Sequence, residues 1–121
     1  MTASAEFIQY VLEFLEPLFP VRIARFFGGA GIYFDSVQFA MIMHNTLYFA
    51  VDDNSRKKYE QAEMQPFSYM TKKGSIQVRK YVELPEDILT DPEQLQLWIN
   101  EAIQVAYKTK KPKKTAKQSH L

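Results

Sequence analysis

The segment Gly28-Gly29-Ala30-Gly31 has the residue types of an anion-binding loop. Closely spaced glycines can present backbone N–H groups to a phosphate or a carboxylate. The segment lacks the Lys-Ser/Thr ending of a phosphate-binding P-loop, and it lies between two stretches with strand character rather than before a helix. We therefore favour a tight hairpin, in which glycine supplies the positive φ that the turn requires.

Two arginines, Arg22 and Arg25, lie just before this glycine segment. Their guanidinium groups can bind an anion or the acidic side chains of a partner. They can equally pair with Asp35, Glu83 or other acidic surface of the domain itself. If this region contacts a partner or an anion, we expect the contact to involve Arg22, Arg25, Gly28, Gly29 and Gly31.

Histidine and carboxylate side chains form no recognisable catalytic or metal-binding pattern. His44 has neither cysteine nor a clear acidic cluster beside it, as a zinc site needs, and no nucleophile context for a triad. It precedes Asn45-Thr46 and is predicted to be a turn residue. Asp52 and Asp53 could act as an acid–base pair, but their position before a polar helical stretch favours helix capping. We expect no enzyme activity, no cofactor and no metal.

The C-terminal segment 108–121 is rich in lysine and has no apolar periodicity. All fourteen acidic residues lie before position 102, whereas six of the fifteen basic residues lie from 108 onward, so residues 1–107 are acidic overall. The segment is predicted to be disordered when free. It either attracts nucleic-acid phosphates or serves only as a solubilising tail. The lysines concerned are Lys108, Lys110, Lys111, Lys113, Lys114 and Lys117.

Length and composition indicate one globular domain. The chain has 121 residues, of which 46% are hydrophobic and 14% aromatic. The absence of cysteine excludes disulfide and thiolate chemistry and suits a reducing compartment. No apolar run is long enough to cross a bilayer, and residues 1–10 lack the basic start of a secretory signal, so we expect a cytoplasmic protein.

Three segments have helical periodicity. Residues 3–16 repeat apolar side chains at helical spacing, and Pro17 and Pro20 interrupt the pattern after them. A short polar helix is predicted over 54–63. The segment Asp91-Pro92-Glu93-Gln94 is typical of a helix start, and an apolar stripe then continues to about Tyr107.

The remaining segments have strand character. Residues 22–51 are predicted as a three-stranded meander, with turns at the glycine segment, at Asp35-Ser36 and at 44–46. Two further strands, from Pro66 and over 75–82, are joined by a turn at 72–74. The order α-β-β-β-α-β-β-α predicts an α+β fold, with helices packed on an antiparallel-rich mixed sheet. Its many aromatic residues could stack nucleic-acid bases, pack in the core or form a dimer interface, and core packing is the default.

Residues 25–33, with the sequence Arg-Phe-Phe-Gly-Gly-Ala-Gly-Ile-Tyr, resemble the glycine turn of the TfoX N-terminal domain family. The similarity continues in order and with similar spacing over roughly residues 10–107. Phe26 stands where the family more often has methionine. The other matching segments are Phe39-Ala40, Leu47-Tyr48-Phe49, Val51-Asp52, Pro66-Phe67-Ser68-Tyr69, Tyr81, Leu84-Pro85 and the Trp98 helix.

The resemblance implies a fold similar to secretion chaperones, which are commonly dimers. Full-length TfoX/Sxy proteins are positive regulators of natural transformation genes and carry a second, helical C-terminal domain, which this chain ends too early to contain. We therefore expect residues 1–107 to form a regulatory or adaptor domain that acts through protein–protein contact. One such contact would be the formation of a homodimer. The alternatives are nucleic-acid association through the lysine tail and binding of a small anion at the Gly28–Gly31 turn. No membrane contact is expected.

Overall fold

Helices and strands follow one another in blocks along the chain. The computed structural model describes residues 4–26 and 28–117, with side chains to residue 109. The helices are α1 (Ala5–Leu15), α2 (Arg56–Gln61), α3 (Glu86–Leu89) and α4 (Pro92–Lys117). The strands are β1 (Arg22–Phe26), β2 (Gly29–Phe34), β3 (Val37–Met43), β4 (Thr46–Ala50), β5 (Pro66–Thr71) and β6 (Gly74–Glu83).

The six strands form one sheet in the order β1-β2-β3-β4-β6-β5. Each of its five pairings is antiparallel. The predicted α+β class is confirmed, with three differences in detail. Residues 22–51 form four strands rather than three, the sheet is antiparallel rather than mixed, and α3 is an additional short helix.

Three turns in the first half of the sheet have left-handed backbone. Gly28 has φ +87°, at the turn between β1 and β2. Asp35 has φ 58° between β2 and β3, and His44 and Asn45 have φ 54° and 56° between β3 and β4. Two successive left-handed residues match the twist of a two-residue hairpin. The prediction that His44 is a turn residue is therefore confirmed.

The helices and one face of the sheet share the hydrophobic core. Ala30 and Ile32 of β2, together with Ile42 of β3 and Phe49 of β4, lie on this helix-facing side and are fully buried. The buried stripe of α4 packs against β3 and β4. That stripe consists of Leu95, Ile99, Ala102, Ile103 and Ala106. We call the opposite side of the sheet the open face.

Helix α4 begins as predicted but ends later. The carboxylate of Asp91 accepts hydrogen bonds from the backbone N–H groups of Glu93 and Gln94, at 3.2 and 3.3 Å. The helix continues to Lys117, whereas the sequence predicts its end near Tyr107 and a disordered segment from 108 to 121. Lysine is a good helix former, and extending an existing helix costs less than starting one. Residues 118–121 lie outside the described residues, and the division into domain and tail stays a prediction.

No helix in the described part of the chain has the length and apolar character needed to cross a membrane.

Candidate functional site at the β1 edge

Strand β1 forms one edge of the sheet, and the predicted contact residues lie on it and on the turn and strand that follow. Among the described strands it pairs only with β2, from Arg22 opposite Tyr33 to Phe26 opposite Gly29. The outer side of an edge strand presents a row of backbone N–H and C=O groups that another strand can pair with. The site is therefore a strand edge rather than a cleft.

The glycines of the predicted turn have two different roles. Gly28 is the turn residue with positive φ, whereas Gly29 and Gly31 lie inside β2 between β1 and β3. A Cβ on Gly29 would collide with the backbone oxygen of Ile42 and would lie 2.5 Å from the Sδ atom of Met43. These two glycines allow close packing within a three-strand ladder. This favours the hairpin interpretation over a loop that presents N–H groups to an anion.

Arg22 and Arg25 are both exposed but do not converge on one point. They are three residues apart on a strand, so their side chains leave opposite faces of the sheet. Arg25 shares the helix-facing side with Ile23, which packs against the core. The guanidinium carbon of Arg22 lies 4.5 Å from the centre of the Tyr33 ring, directly across the β1–β2 pair, in a cation–π contact.

The open face beside the β1–β2 turn is apolar. Phe26 is 43% exposed, and its cross-strand neighbour Gly29 has no side chain to cover it. Met43, opposite Gly29 on the other side, and Ala24 on β1 are half-buried. The Phe26 side chain thus leaves apolar area in water on a strand at the edge of the sheet.

A polar cluster that sequence reasoning missed lies further along the open face. The Tyr81 hydroxyl lies beside the Gln38 side chain, and Tyr33 lies nearby. Burial, together with the neighbouring Tyr33 hydroxyl, raises the pKa of Tyr81 to about 12. A Cβ on Gly31 would lie 3.0 Å from the Gln38 side chain and 3.1 Å from Tyr33. Tyr81 is 43 residues from Gln38 and 48 from Tyr33 in the sequence, so no local pattern signals their contact.

The carboxylates at 52 and 53 are held in separate interactions. Asp52 accepts a hydrogen bond from the Ser55 backbone N–H at 2.8 Å, and the Ser55 hydroxyl accepts one from the Asp52 N–H at 3.0 Å. The hydrogen bond from Lys108, together with those from Ser55, holds the pKa of Asp52 well below its usual range. Asp53 pairs with Arg56 at 2.9 Å. Asp52 thus holds the turn that leads into α2. The N-cap residue of that helix is Ser55, so the predicted capping of the helix by Asp52 or Asp53 is wrong.

His44 lies on an exposed turn. Among residues 4–26 and 28–117, no group of three or more histidine, cysteine or acidic side chains is placed to hold a metal ion.

One of the predicted nucleic-acid lysines has a described side chain. The Nζ atom of Lys108 lies 2.8 Å from Oδ2 of Asp52. The side chains of Lys110, Lys111, Lys113, Lys114 and Lys117 lie outside the described residues, although the backbone there is helical.

Comparison with known proteins identifies a family whose model matches most of the chain. The family model of the TfoX N-terminal domain matches residues 13–106, which include β1 to β6 and most of the helical residues. A search of curated proteins finds no match. Because the family model covers most of the chain, this protein belongs to the TfoX N-terminal domain family.

Proposed function

We propose that this chain is a competence-type regulatory domain that acts by binding another protein and not by catalysis. Membership of the TfoX N-terminal domain family supports a regulatory role. A cytoplasmic location fits such a role and a chain without cysteine. The observation that carries the protein-binding proposal is the β1 edge, where exposed Phe26 lies on a strand that pairs only with β2 among the described strands.

The occupant that best fits this edge is a second copy of the chain. Antiparallel pairing of β1 with itself, centred on Ala24, would place Arg22 opposite the partner's Phe26 and Arg25 opposite the partner's Ile23. No two like charges face each other in this register. Each Arg22 would meet an aromatic ring, and both exposed phenylalanines would be covered. The sequence of β1 is thus complementary to itself.

Light scattering on the full chain, with the variant Phe26→Glu, tests this proposal. We expect a dimer for the natural sequence and a dimer dissociation constant raised roughly tenfold or more in the variant, because a charge replaces an apolar contact at the pairing edge. Leu97→Glu is the matched control, since Leu97 is 64% exposed on the outer side of α4. A monomer at all concentrations, or a dimer that Phe26→Glu and Leu97→Glu weaken equally, would contradict the proposal.

A further inference from the structure

The opposite edge of the sheet carries a concentrated positive charge. Residues 66–82, which form β5, β6 and their turn, contain four basic side chains and no acidic one. The other residues up to 107 contain five basic and fourteen acidic side chains. The four basic residues are Lys72, Lys73, Arg79 and Lys80. The fold therefore separates a basic hairpin from an otherwise acidic domain.

This hairpin projects from the sheet. Strand β4 pairs with β6 only at residues 81–83, so the outer part of β6, from Gly74, has β5 as its only described strand neighbour. Lys72, Lys73, Arg79 and Lys80 are all exposed. At the tip, the Thr71 hydroxyl donates to the Gly74 carbonyl at 2.8 Å and accepts from the Lys73 N–H at 3.1 Å. These bonds order the turn that presents the two lysines.

Aromatic rings lead along β5 toward the charged tip. Phe67 makes an edge contact with Tyr48 at 5.4 Å and stacks against Tyr69 at 6.1 Å. Tyr69 is nevertheless 48% exposed, and its neighbours Met70 and Ile76 are 75% and 42% exposed. A tyrosine fixed from one side and open on the other is suited to stack a nucleobase.

We propose that the β5–β6 hairpin binds single-stranded nucleic acid, with Lys72, Lys73 and Lys80 on the phosphates and a base stacked on Tyr69. Basic side chains beside an exposed aromatic ring form the combination by which proteins hold single strands with little sequence preference. A single strand of nucleic acid uses both features, the charge through its phosphates and the exposed ring through its bases. This inference goes beyond the proposed function and involves the sheet edge opposite β1.

Neighbouring side chains determine which basic residues of the hairpin attract phosphates most strongly. Arg79 borders a cavity of about 600 Å³ that Glu60 and Glu63 also line, so these carboxylates weaken its field. Lys80 lines a small cavity together with Thr109, the last residue of α4 with a described side chain. Five further lysines follow Thr109 in the sequence, within the bounds of α4.

Fluorescence anisotropy with a labelled oligothymidine and the full chain tests the proposal. We expect Lys72→Gln/Lys73→Gln to weaken binding and to reduce the slope of log affinity against log salt by about 1.4, since each phosphate contact on a single strand contributes about 0.7. Tyr69→Ala should weaken binding by roughly 5- to 150-fold. The matched control is Lys57→Gln/Lys58→Gln, which removes two positive charges on α2, outside the hairpin and the β1 edge, and should weaken binding less. Circular dichroism confirms that each variant is folded.

A second set of variants separates the hairpin from the lysine segment. Changing the lysines at 110, 111, 113, 114 and 117 to glutamine should weaken binding but leave the effect of Tyr69→Ala intact. If those changes abolish binding while the hairpin variants bind normally, or if the control variant loses as much affinity as the hairpin variant, the proposal is wrong. Tighter binding of a duplex, unaffected by Tyr69→Ala, would also overturn it. Because Tyr69 lies far from β1 in the strand order, the dimer assay gives an independent result.

Discussion

The Nζ atom of Lys108 lies 2.8 Å from Oδ2 of Asp52, and this ion pair ties α4 to the turn that precedes α2. The pair joins residues 56 positions apart, and Asp52 also holds Ser55 through two hydrogen bonds. The ion pair therefore connects α4 to the end of the sheet at which β4 leads into α2.

The first prediction concerns this ion pair. Asp52→Asn should lower the free energy of unfolding by about 1 kcal/mol at neutral pH, because it removes the charge on a partly exposed pair. The pKa of Asp52 is lower in the folded protein than its usual value of 3.8, so its stabilisation is complete above that pH and is lost as the pH falls below it. Urea unfolding from pH 7 to pH 2 measures the difference between the two proteins, which should shrink toward zero in acid.

Asp87→Asn is the control for this experiment, since Asp87 is an exposed carboxylate in the first turn of α3. Its unfolding free energy should stay close to that of the natural protein at every pH. A pH-independent loss in Asp52→Asn would show that the side-chain charge has no part in the stabilisation.

The second prediction concerns the glycines of β2. Gly29→Ala should destabilise the fold by about 3 kcal/mol, at the upper end of overpacking costs, because the new methyl group meets the backbone oxygen of Ile42, which cannot move without breaking the sheet. Gly31→Ala should cost about 1 kcal/mol, because its methyl group meets the side chains of Gln38 and Tyr33, which can shift. Thermal and urea unfolding of both variants measure the order. Equal costs would show that close backbone approach does not explain Gly29.

The third prediction concerns Tyr81 in alkaline solution. Burial raises the pKa of Tyr81 to about 12, above the usual value of 10. The folded protein thus retains a proton that the unfolded chain releases, so stability contributed by this group is complete below pH 10 and falls as the pH rises toward 12. Tyr81→Phe should make the loss of stability over this interval smaller. Chemical unfolding at fixed pH values between 9 and 12 tests it, and an unchanged slope in the variant would contradict the assignment.

The secondary structure was predictable where a local pattern determines it. The acidic N-cap Asp91 followed by proline predicts the start of α4, and the apolar stripe after it predicts which side is buried. The left-handed turn at His44-Asn45 follows from residue types that tolerate this backbone. In each case the responsible atoms lie within a few residues of one another.

The prediction of the first hairpin was wrong in detail, because glycine serves two different purposes there. Four glycine-segment positions suggested a single turn, but only Gly28 has positive φ among them, and β2 already begins at Gly29. The predicted turn therefore extended too far, over residues 29–31 of β2. The reason that Gly29 is a glycine lies on β3, at the Ile42 carbonyl and the Met43 side chain, which no window around residue 29 contains.

The sequence by itself determined most of the helices and strands, the class of the fold, the buried stripes and the family of the protein, because periodicity and turn chemistry act between close neighbours in the chain. Only the tertiary structure decided that β1 and β5 are the two edges of the sheet, that Arg22 and Arg25 leave opposite faces, and that a basic hairpin projects from an acidic domain. These features depend on which strands pair and in which register, and that choice is set by contacts between residues far apart in the sequence.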